Sequence, residues 1–584
     1  MGTYSHEIRC YPEDPVYEID KLDQRKQYYI GFWKGSVTLP DGSLREYLTY
    51  CPSTAKRDAR NCHMALPGGV DPAEFLDRNG WLDLAEKEEV VLSVFLPENG
   101  VWKSPEEELP YFSKVFSSLR FYTPYASFDW RWCGYGDGGA CMQRHIMSDP
   151  TNCAAAVIID GSECFTAEEL AANGARHHMT RKGALEETLD MTPVPVWLIE
   201  KEITPRTQVV IDYWKKANDV LPQPLELADG SIEYHQDPYS QAVETYDHMV
   251  GIVRCTPKDL GDYRDPAMAA EIYAFLTRYS RNGQGSPYSN ALSAAPTPSV
   301  YQGLEYQTQI VDGYQREWYI YFPPKYDPQG PKLPLVFYFH GTHQSGLVSF
   351  RQSDWWKVAQ RHNFIVIMPS GSLENKRMPK KVPGMSWNLE DYGNADDIVF
   401  VRFLVDYMIR NYQVDPGRIY ANGQSNGGRM TLYCALALPE LFAAAASMGA
   451  STLGDIYNSK ERYLTPPDTN EAYDIPVMST IGENDMFNYD LTDPEGTCTH
   501  RCRYFCERYG MDYEKDHYHY ENGRYVNDIW IDDQKVPMLR QTISLKRAHN
   551  FNPRETEMTW NEWFALFARD PETKKVIYMG RVRD

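Results

Sequence analysis

The chain lacks any apolar run long enough to cross a bilayer, so no membrane-spanning helix and no membrane partner are expected. It also lacks positive charge. Its 59 lysines and arginines stand against 81 acids, a net charge of −22, and nucleic acid, whose phosphates require a basic face, is excluded as a partner. The first residues, Met1-Gly2-Thr3-Tyr4-Ser5-His6, contain no basic stretch followed by an apolar one, and position six is neither Ser nor Thr. Neither a leader peptide nor a myristoylation site is read there. The expectation is a cytoplasmic protein, or a secreted one if a leader was trimmed. No dinucleotide fingerprint, phosphate loop or zinc-type spacing is present, so no cofactor and no metal are expected. The 12 cysteines form no framework. Cys153 and Cys434 sit in apolar runs and read as buried thiols. Cys498, Cys502 and Cys506 recur every four residues on one helical face, where packing, or one disulfide with a cysteine left over, is expected ahead of a metal.

What the chain has is length and a repeat. At 584 residues and 42% hydrophobic content it supports two to four domains with large cores. Its 42 tyrosines and 14 tryptophans suit either core and amphipathic surface or aromatic-walled clefts, and composition does not choose. The segment Asp41-Gly42-Ser43-Leu44-Arg45-Glu46 parallels Asp312-Gly313-Tyr314-Gln315-Arg316-Glu317, and a strand and a proline follow in both. Leu66-Pro67-Gly68-Gly69 falls where Phe339-His340-Gly341-Thr342 falls. Gly134-Tyr135-Gly136-Asp137-Gly138-Gly139 aligns with Gly423-Gln424-Ser425-Asn426-Gly427-Gly428, and Val194-Pro195-Val196 with Ile475-Pro476-Val477. The stretch 281–300, rich in Gly, Ser, Pro, Asn and Ala, reads as a linker. The expected organisation is one α/β unit over 1–280, the linker, and a second unit over 301–584. Continuous apolar runs at 335–339, 364–368 and 477–481 suit mostly parallel sheets flanked by helices. The residues 394–412 read as a long amphipathic helix capped by Asn394.

Chemistry concentrates in the second copy. The apolar run 419–421, then Gly423-Gln424-Ser425-Asn426-Gly427, then a helical stretch, is the strand–turn–helix context of a nucleophile elbow. The motif alone is short enough to arise by chance, so its partners matter. A serine hydroxyl near neutral pH needs a base, and the base needs an orienting acid. Acid and then histidine follow the serine in this order of elements. The apolar strand at 475–481 runs into Gly482-Glu483-Asn484-Asp485, which nominates Asp485, with Glu483 and Asp490 in reserve. Of His500, His517, His519 and His549, the last lies between the β-like run 539–545 and the final helix, read at 556–567, where the base belongs. An oxyanion hole needs two main-chain N–H groups; Asn426, after the nucleophile, and Thr342, in the turn after Phe339, are the candidates.

These residues carry a family resemblance. With His340-Gly341-Thr342-His343-Gln344, Met385-Ser386-Trp387-Asn388, Asp396-Asp397, Val414-Asp415-Pro416-Gly417-Arg418-Ile419-Tyr420 and Phe442-Ala443-Ala444-Ala445, the second copy resembles the polyhydroxybutyrate depolymerase and feruloyl esterase group of α/β hydrolases. The resemblance covers about 307–567. It implies tandem α/β-hydrolase domains, a Ser425–His549–Asp485 triad, an acyl-enzyme, and a small or oligomeric ester as substrate, of feruloyl or hydroxycinnamoyl type or a short hydroxyacid polyester. It also marks His340, His343, Gln344, Trp387 and Gln424 as substrate-side residues. The chain departs from the group in lacking a leader, in an insertion at 451–474, and in having no glycine-rich approach to His549.

The first copy reads as degenerate. Gly136 stands at the nucleophile position, the acid position falls near Thr204 with Glu200 and Glu202 close by, and 255–265 contains no histidine. Such a half could cover the cleft, bind substrate, or supply a homodimer surface. The rival readings are a serine peptidase or amidase on the same fold, and a non-catalytic binding protein.

Overall fold

The run Leu333–Phe339 is buried at every position, and so are Ile365–Pro369, Ala444–Met448 and Val477–Gly482. A strand with no exposed face must be covered on both sides, and this requirement shapes each half of the molecule. The structure, a computed structural model, describes all residues except 1–3, 15–16, 57, 120–128, 241–246, 248–249, 282–284, 290, 375–382, 390–394, 451, 454–465, 467 and 488. The chain divides into two units, the first mainly Arg25–Ala295 and the second mainly Pro296–Arg377 with Pro383–Asp584.

The main sheet of the first unit has eleven strands: β1 (Ile8–Cys10), β2 (Gly31–Thr38), β3 (Leu44–Cys51), β4 (Arg60–Ala65), β5 (Val90–Phe95), β6 (Arg131–Tyr135), β7 (Ala155–Ile159), β8 (Val196–Glu200), β9 (Leu225–Glu226), β10 (Ile232–His235) and β11 (Ile252–Pro257). Their spatial order is 1-2-3-5-4-6-7-8-11-10-9. The second unit carries ten: β12 (Leu304–Val311), β13 (Tyr314–Tyr321), β14 (Leu333–Phe339), β15 (Ile365–Pro369), β16 (Val414–Gln424), β17 (Ala444–Met448), β18 (Val477–Gly482), β19 (His517–Asn522), β20 (Tyr525–Ile531) and β21 (Pro537–Ser544). Their order is 12-13-15-14-16-17-18-21-20-19, which is the order of β2 to β11 over again. Directions match as well: β4, β5, β6, β7, β8 and β11 run parallel, as do β14 to β18 and β21, while the outer strands pair antiparallel, except β1, which runs parallel to β2. The two units carry mostly parallel, helix-flanked sheets of one topology.

Helices cover both faces. In the first unit, Val157, Ile159 and Trp197 belong to one apolar cluster, whereas their strand neighbours Ala156, Ile158 and Leu198 belong to another, as period-two alternation demands. The helices that bear on function are α1 (Gly136–Ser148), α2 (Pro205–Ala217) and α3 (Pro266–Leu276), then α4 (Asp397–Asn411), α5 (Asn426–Ala437), α6 (Thr497–Arg508) and α7 (Pro553–Glu562). No helix among the described residues is long and apolar enough to cross a membrane.

Several elements differ from the sequence expectation. The cap of α4 is Asp396, whose carboxylate accepts from the Ile398 and Val399 amides at 2.9 and 3.0 Å; Asn394 lies outside the described residues. The last helix begins earlier, at Pro553 with Asn552 as cap, and Phe567–Arg569 is a strand of a small separate sheet. The described residues of 281–300 make contacts of their own. Arg281 is buried and donates to the Pro150 and Cys153 carbonyls, Ser293–Ala294 pairs with Tyr279–Ser280, and Leu292 joins a core of the first unit. Its small polar residues suit a packed irregular loop as well as a linker. Most of the insertion at 451–474 lies outside the described residues.

Candidate active site

The elbow is where the chain turns from β16 into α5. Ser425 has φ +57° and ψ −116°, a conformation that L-residues avoid and that costs on the order of 1–3 kcal/mol unless the surroundings impose it. Here they do: the Ser425 amide donates to the Met448 carbonyl at 2.8 Å, and the flanking glycines let the turn close onto β14. A Cβ at Gly427 would lie 2.0 Å from the Phe339 carbonyl oxygen, and one at Gly423 would lie 2.4 Å from that of Gly427. Close approach of backbones, rather than φ, demands glycine at both positions.

Three side chains from three loops meet there. Ser425 Oγ lies 2.9 Å from His549 Nε2, and His549 Nδ1 lies 2.8 Å from Asp485 Oδ1. An ionised Asp485 accepts the Nδ1 proton and leaves Nε2 as the acceptor facing the serine. The Asp485 side chain is fully buried and that of His549 is 20% exposed. Burial pushes the Asp485 carboxyl up. The His549 hydrogen bond, the Arg547 charge, the Met486 amide and, once the imidazole takes a proton, its own charge outweigh it and hold the group below its ordinary value. Phe487 sets its ring edge-on to His549 with centroids 5.8 Å apart, and Gly449, in left-handed conformation, lies against the imidazole. The reserve acids point elsewhere: Glu483 accepts the Lys546 amide and Asp490 caps a turn at Thr492. His517 and His519 share Asp528, and His500 lies on α6.

The oxyanion candidates have no acceptor among the described residues: neither the Thr342 nor the Asn426 amide is taken, whereas both neighbours of Thr342 are committed. The Gly341 amide donates to Gln344 Oε1 at 3.1 Å and the His343 amide to the Met385 carbonyl at 2.9 Å. Asn426 begins α5, where the helix dipole adds to its donor strength. Its side chain accepts from the Trp387 amide at 2.7 Å and the Ser386 hydroxyl at 3.2 Å, which ties the elbow to the strand before Trp387.

Two residues marked as substrate-side are loop braces instead. His340 is 0% exposed, and its Nε2 accepts from the Gly371 amide, so the proton sits on Nδ1 and goes to the Gly341 carbonyl. Trp387 is 2% exposed and donates to the His340 carbonyl. Gln424 is buried too, its Oε1 against Gly341, while His343 and Gln344 are half-buried. Cys498, Cys502 and Cys506 are buried free thiols on α6, and no group of His, Cys, Asp and Glu among the described residues is placed to hold a metal. The positions that sequence reasoning missed are Gly449, Phe487 and Arg547, none of which carries a local motif.

The first unit keeps the elbow and fills it from within. Gly136 has φ +55°, matching Ser425, and a Cβ at Gly138 would lie 2.2 Å from the Leu66 carbonyl, matching Gly427. Asp137, the counterpart of Asn426, accepts the Gly68 amide at 2.9 Å and the Gly138 amide at 3.0 Å, so a carboxylate occupies donors of the oxyanion-hole region. The loop between β11 and α3, counterpart of the His549 loop, sends in Tyr263; its hydroxyl would lie 3.2 Å from a Cβ at Gly136. Thr204, at the acid position, caps α2 through the Thr207 amide.

Comparison with known proteins finds similarity to esterases in the second half. A family model described as Putative esterase matches residues 313–520. Poly(3-hydroxyalkanoate) depolymerase C of Paucimonas lemoignei is 32% identical over 127 residues, 21% of this chain and 29% of that protein. Probable acetylxylan esterase A of Neosartorya fischeri is 26% identical over 149 residues, 25% of this chain and 37% of that protein. Feruloyl esterase B of Talaromyces funiculosus is 26% identical over 143 residues, 24% and 38%. The chain thus spans 29–38% of the length of these relatives. Among solved structures, an acetyl xylan esterase from Aspergillus awamori aligns with 45% of this chain and 98% of its own, at 20% identity and TM-score 0.34.

Proposed function

We propose that this chain, whose C-terminal half belongs to the esterase family of that matching model, is a serine carboxylesterase acting through Ser425, His549 and Asp485. One observation carries the reading: an unbroken relay from Ser425 Oγ to His549 at 2.9 Å and on to a buried Asp485 at 2.8 Å, on an elbow in left-handed conformation. Ser425 Oγ attacks the ester carbonyl while its proton passes to His549 Nε2. The Thr342 and Asn426 amides take the charge that develops on the carbonyl oxygen. Collapse expels the alcohol, which receives the proton from His549. Water then attacks the acyl carbon, His549 takes its proton, and a second collapse returns that proton to Ser425 and frees the acid. Asp485 holds the imidazole tautomer throughout.

The acyl group is read as hydroxycinnamoyl or a short hydroxyacid. Relatives named feruloyl esterase and poly(3-hydroxyalkanoate) depolymerase support this, as does the Phe487 ring beside His549. The first unit is read as a non-catalytic half, because Asp137 and Tyr263 fill the space that a nucleophile and base would use.

The test is turnover of acetyl, butyryl, 3-hydroxybutyryl and feruloyl esters, with matching anilides, by wild type and Ser425→Ala. Ester cleavage that falls on the order of 10⁴–10⁶-fold in a folded Ser425→Ala variant is expected. Equal activity of the two proteins refutes the triad, and cleavage of anilides alone would mark an amidase.

A further inference from the structure

Asp485 raises a problem of charge. Its side chain is fully buried, and Oδ1 takes both the His549 ring proton and the Met486 amide at 2.6 Å. Oδ2 is buried with no hydrogen-bond partner. A buried carboxylate with one oxygen undonated is costly unless a positive charge stands near it. His549 cannot be that charge in the resting site, since the relay requires it neutral.

Arg547 stands two residues before His549, with its side chain 0% exposed. Its guanidinium contacts the carboxylate of Glu555, also 0% exposed, at 2.9 Å, and donates to the Ala548 carbonyl at 3.2 Å. Glu555 lies in the first turn of α7, where the helix dipole favours a negative charge. The backbone of the same residue joins the two catalytic loops: the Asn484 amide donates to the Arg547 carbonyl at 2.8 Å, and a Cβ at Gly482 would lie 2.4 Å from that oxygen. Glu483 completes the lacing, its amide going to Ser544 and its carboxylate accepting the Lys546 amide. The positive charge whose field acts on Asp485 at rest is thus Arg547 from the histidine loop, paired with Glu555, while His549 on its own relay is neutral until it takes the serine proton.

We propose that Arg547 is a positioning residue of the catalytic site: clamped by Glu555, it supplies the countercharge that keeps Asp485 ionised and holds the acid and histidine loops in register. The assignment rests on the serine esterase reading. Arg547 touches neither substrate nor the reacting atoms. The positive charge favours the ionised Asp485 carboxylate over the protonated one, and its loss is read on the acid limb of activity.

The test compares wild type, Arg547→Lys, Arg547→Met and the double variant Arg547→Met/Glu555→Leu in the full chain. The double variant guards against misfolding, because replacing a buried ion pair by apolar groups is often neutral for stability. Two readouts are needed: kcat and KM against pH with p-nitrophenyl acetate, and the downfield proton resonance of His549 Nδ1–H against pH. In Arg547→Met and the double variant, kcat should fall about 10-fold or more with KM changed by less than about 2-fold. The acid limb should move up by about half a pH unit or more, and Arg547→Lys should recover most of both effects. Wild-type kcat, limb and resonance titration in a folded Arg547→Met or double variant would overturn the proposal. If wild type turns over no ester, the esterase reading fails, while the resonance titration still decides whether Arg547 governs the Asp485–His549 couple.

Discussion

Acid should weaken the first unit through two histidines. His63 on β4 and His145 on α1 are 1% and 2% exposed, and their rings sit 4.5 and 5.2 Å from that of Trp132. Neither nitrogen of His63, nor Nδ1 of His145, has a hydrogen-bond partner. Burial, helped by the charge of His145, pushes His63 down to about 3, and burial pushes His145 down to about 4, from an ordinary 6.5. A depressed folded value means that the unfolded chain binds these protons first. Stability is therefore whole above pH 6.5 and drains away as pH falls toward 4 and 3. At pH 5.0 each imidazole has cost about 1.5 units, or about 2 kcal/mol, and the pair about 4 kcal/mol. His63→Phe keeps an aromatic ring among Phe95, Phe116 and Trp132 and cannot be protonated. The expected outcome is that the loss between pH 7.5 and 5.0 shrinks by about 2 kcal/mol in His63→Phe, with a further decrease when His145→Leu is added. Urea unfolding followed by hydrogen exchange of peptides from β4 and α1 reads this unit alone. A pH dependence in His63→Phe equal to wild type within about 0.5 kcal/mol would refute the reasoning.

Two further substitutions test the paired elbows. Gly427→Ala places a methyl 2.0 Å from the Phe339 carbonyl and 2.5 Å from that of His340, both rigid backbone, so the second unit should lose about 3 kcal/mol or more and its catalysis. Thermal unfolding and ester turnover read the two effects, and a wild-type melt would contradict the packing argument. Gly136→Ser restores a hydroxyl to the first unit, but Asp137 holds the oxyanion-region amides, and among the described residues Tyr263 and Pro67, not a histidine, lie against Gly136. In a Ser425→Ala background it should leave turnover at the level of Ser425→Ala alone; recovery of esterase activity would show that the first unit is nearer to competence than its geometry implies.

Legibility varied with the range of the interaction. The elbow could be read because strand, turn and helix are consecutive, and glycine is the answer to a local collision. Asp485 and His549 could be named because the order of elements puts the end of β18 and the loop after β21 on one rim. His340 and Trp387 misled for the opposite reason. A motif states which residues recur near a site and not which way they face, and here both turn inward to brace the loop after β14. Asn394 and Asp396 are equally good caps by residue type, and the start of α4 is set where Asp397 meets the buried Arg316. Small polar residues serve a packed loop as well as a tether, so the composition of 281–300 does not distinguish the two.

Taken alone, the sequence determined the repeat and the α/β class, and it nominated Ser425 on its elbow and the glycine at the matching position of the first copy. Each of these depends on residue type and on spacing along the chain. Tertiary structure alone decided which oxygen of Asp485 goes without a donor, that Arg547 and Glu555 pair in the interior, and that Asp137 and Tyr263 fill the first elbow. Those facts concern groups brought together by sheet order across tens to more than a hundred residues. Their energies depend on burial and on the direction of individual donors, and spacing along the chain encodes neither.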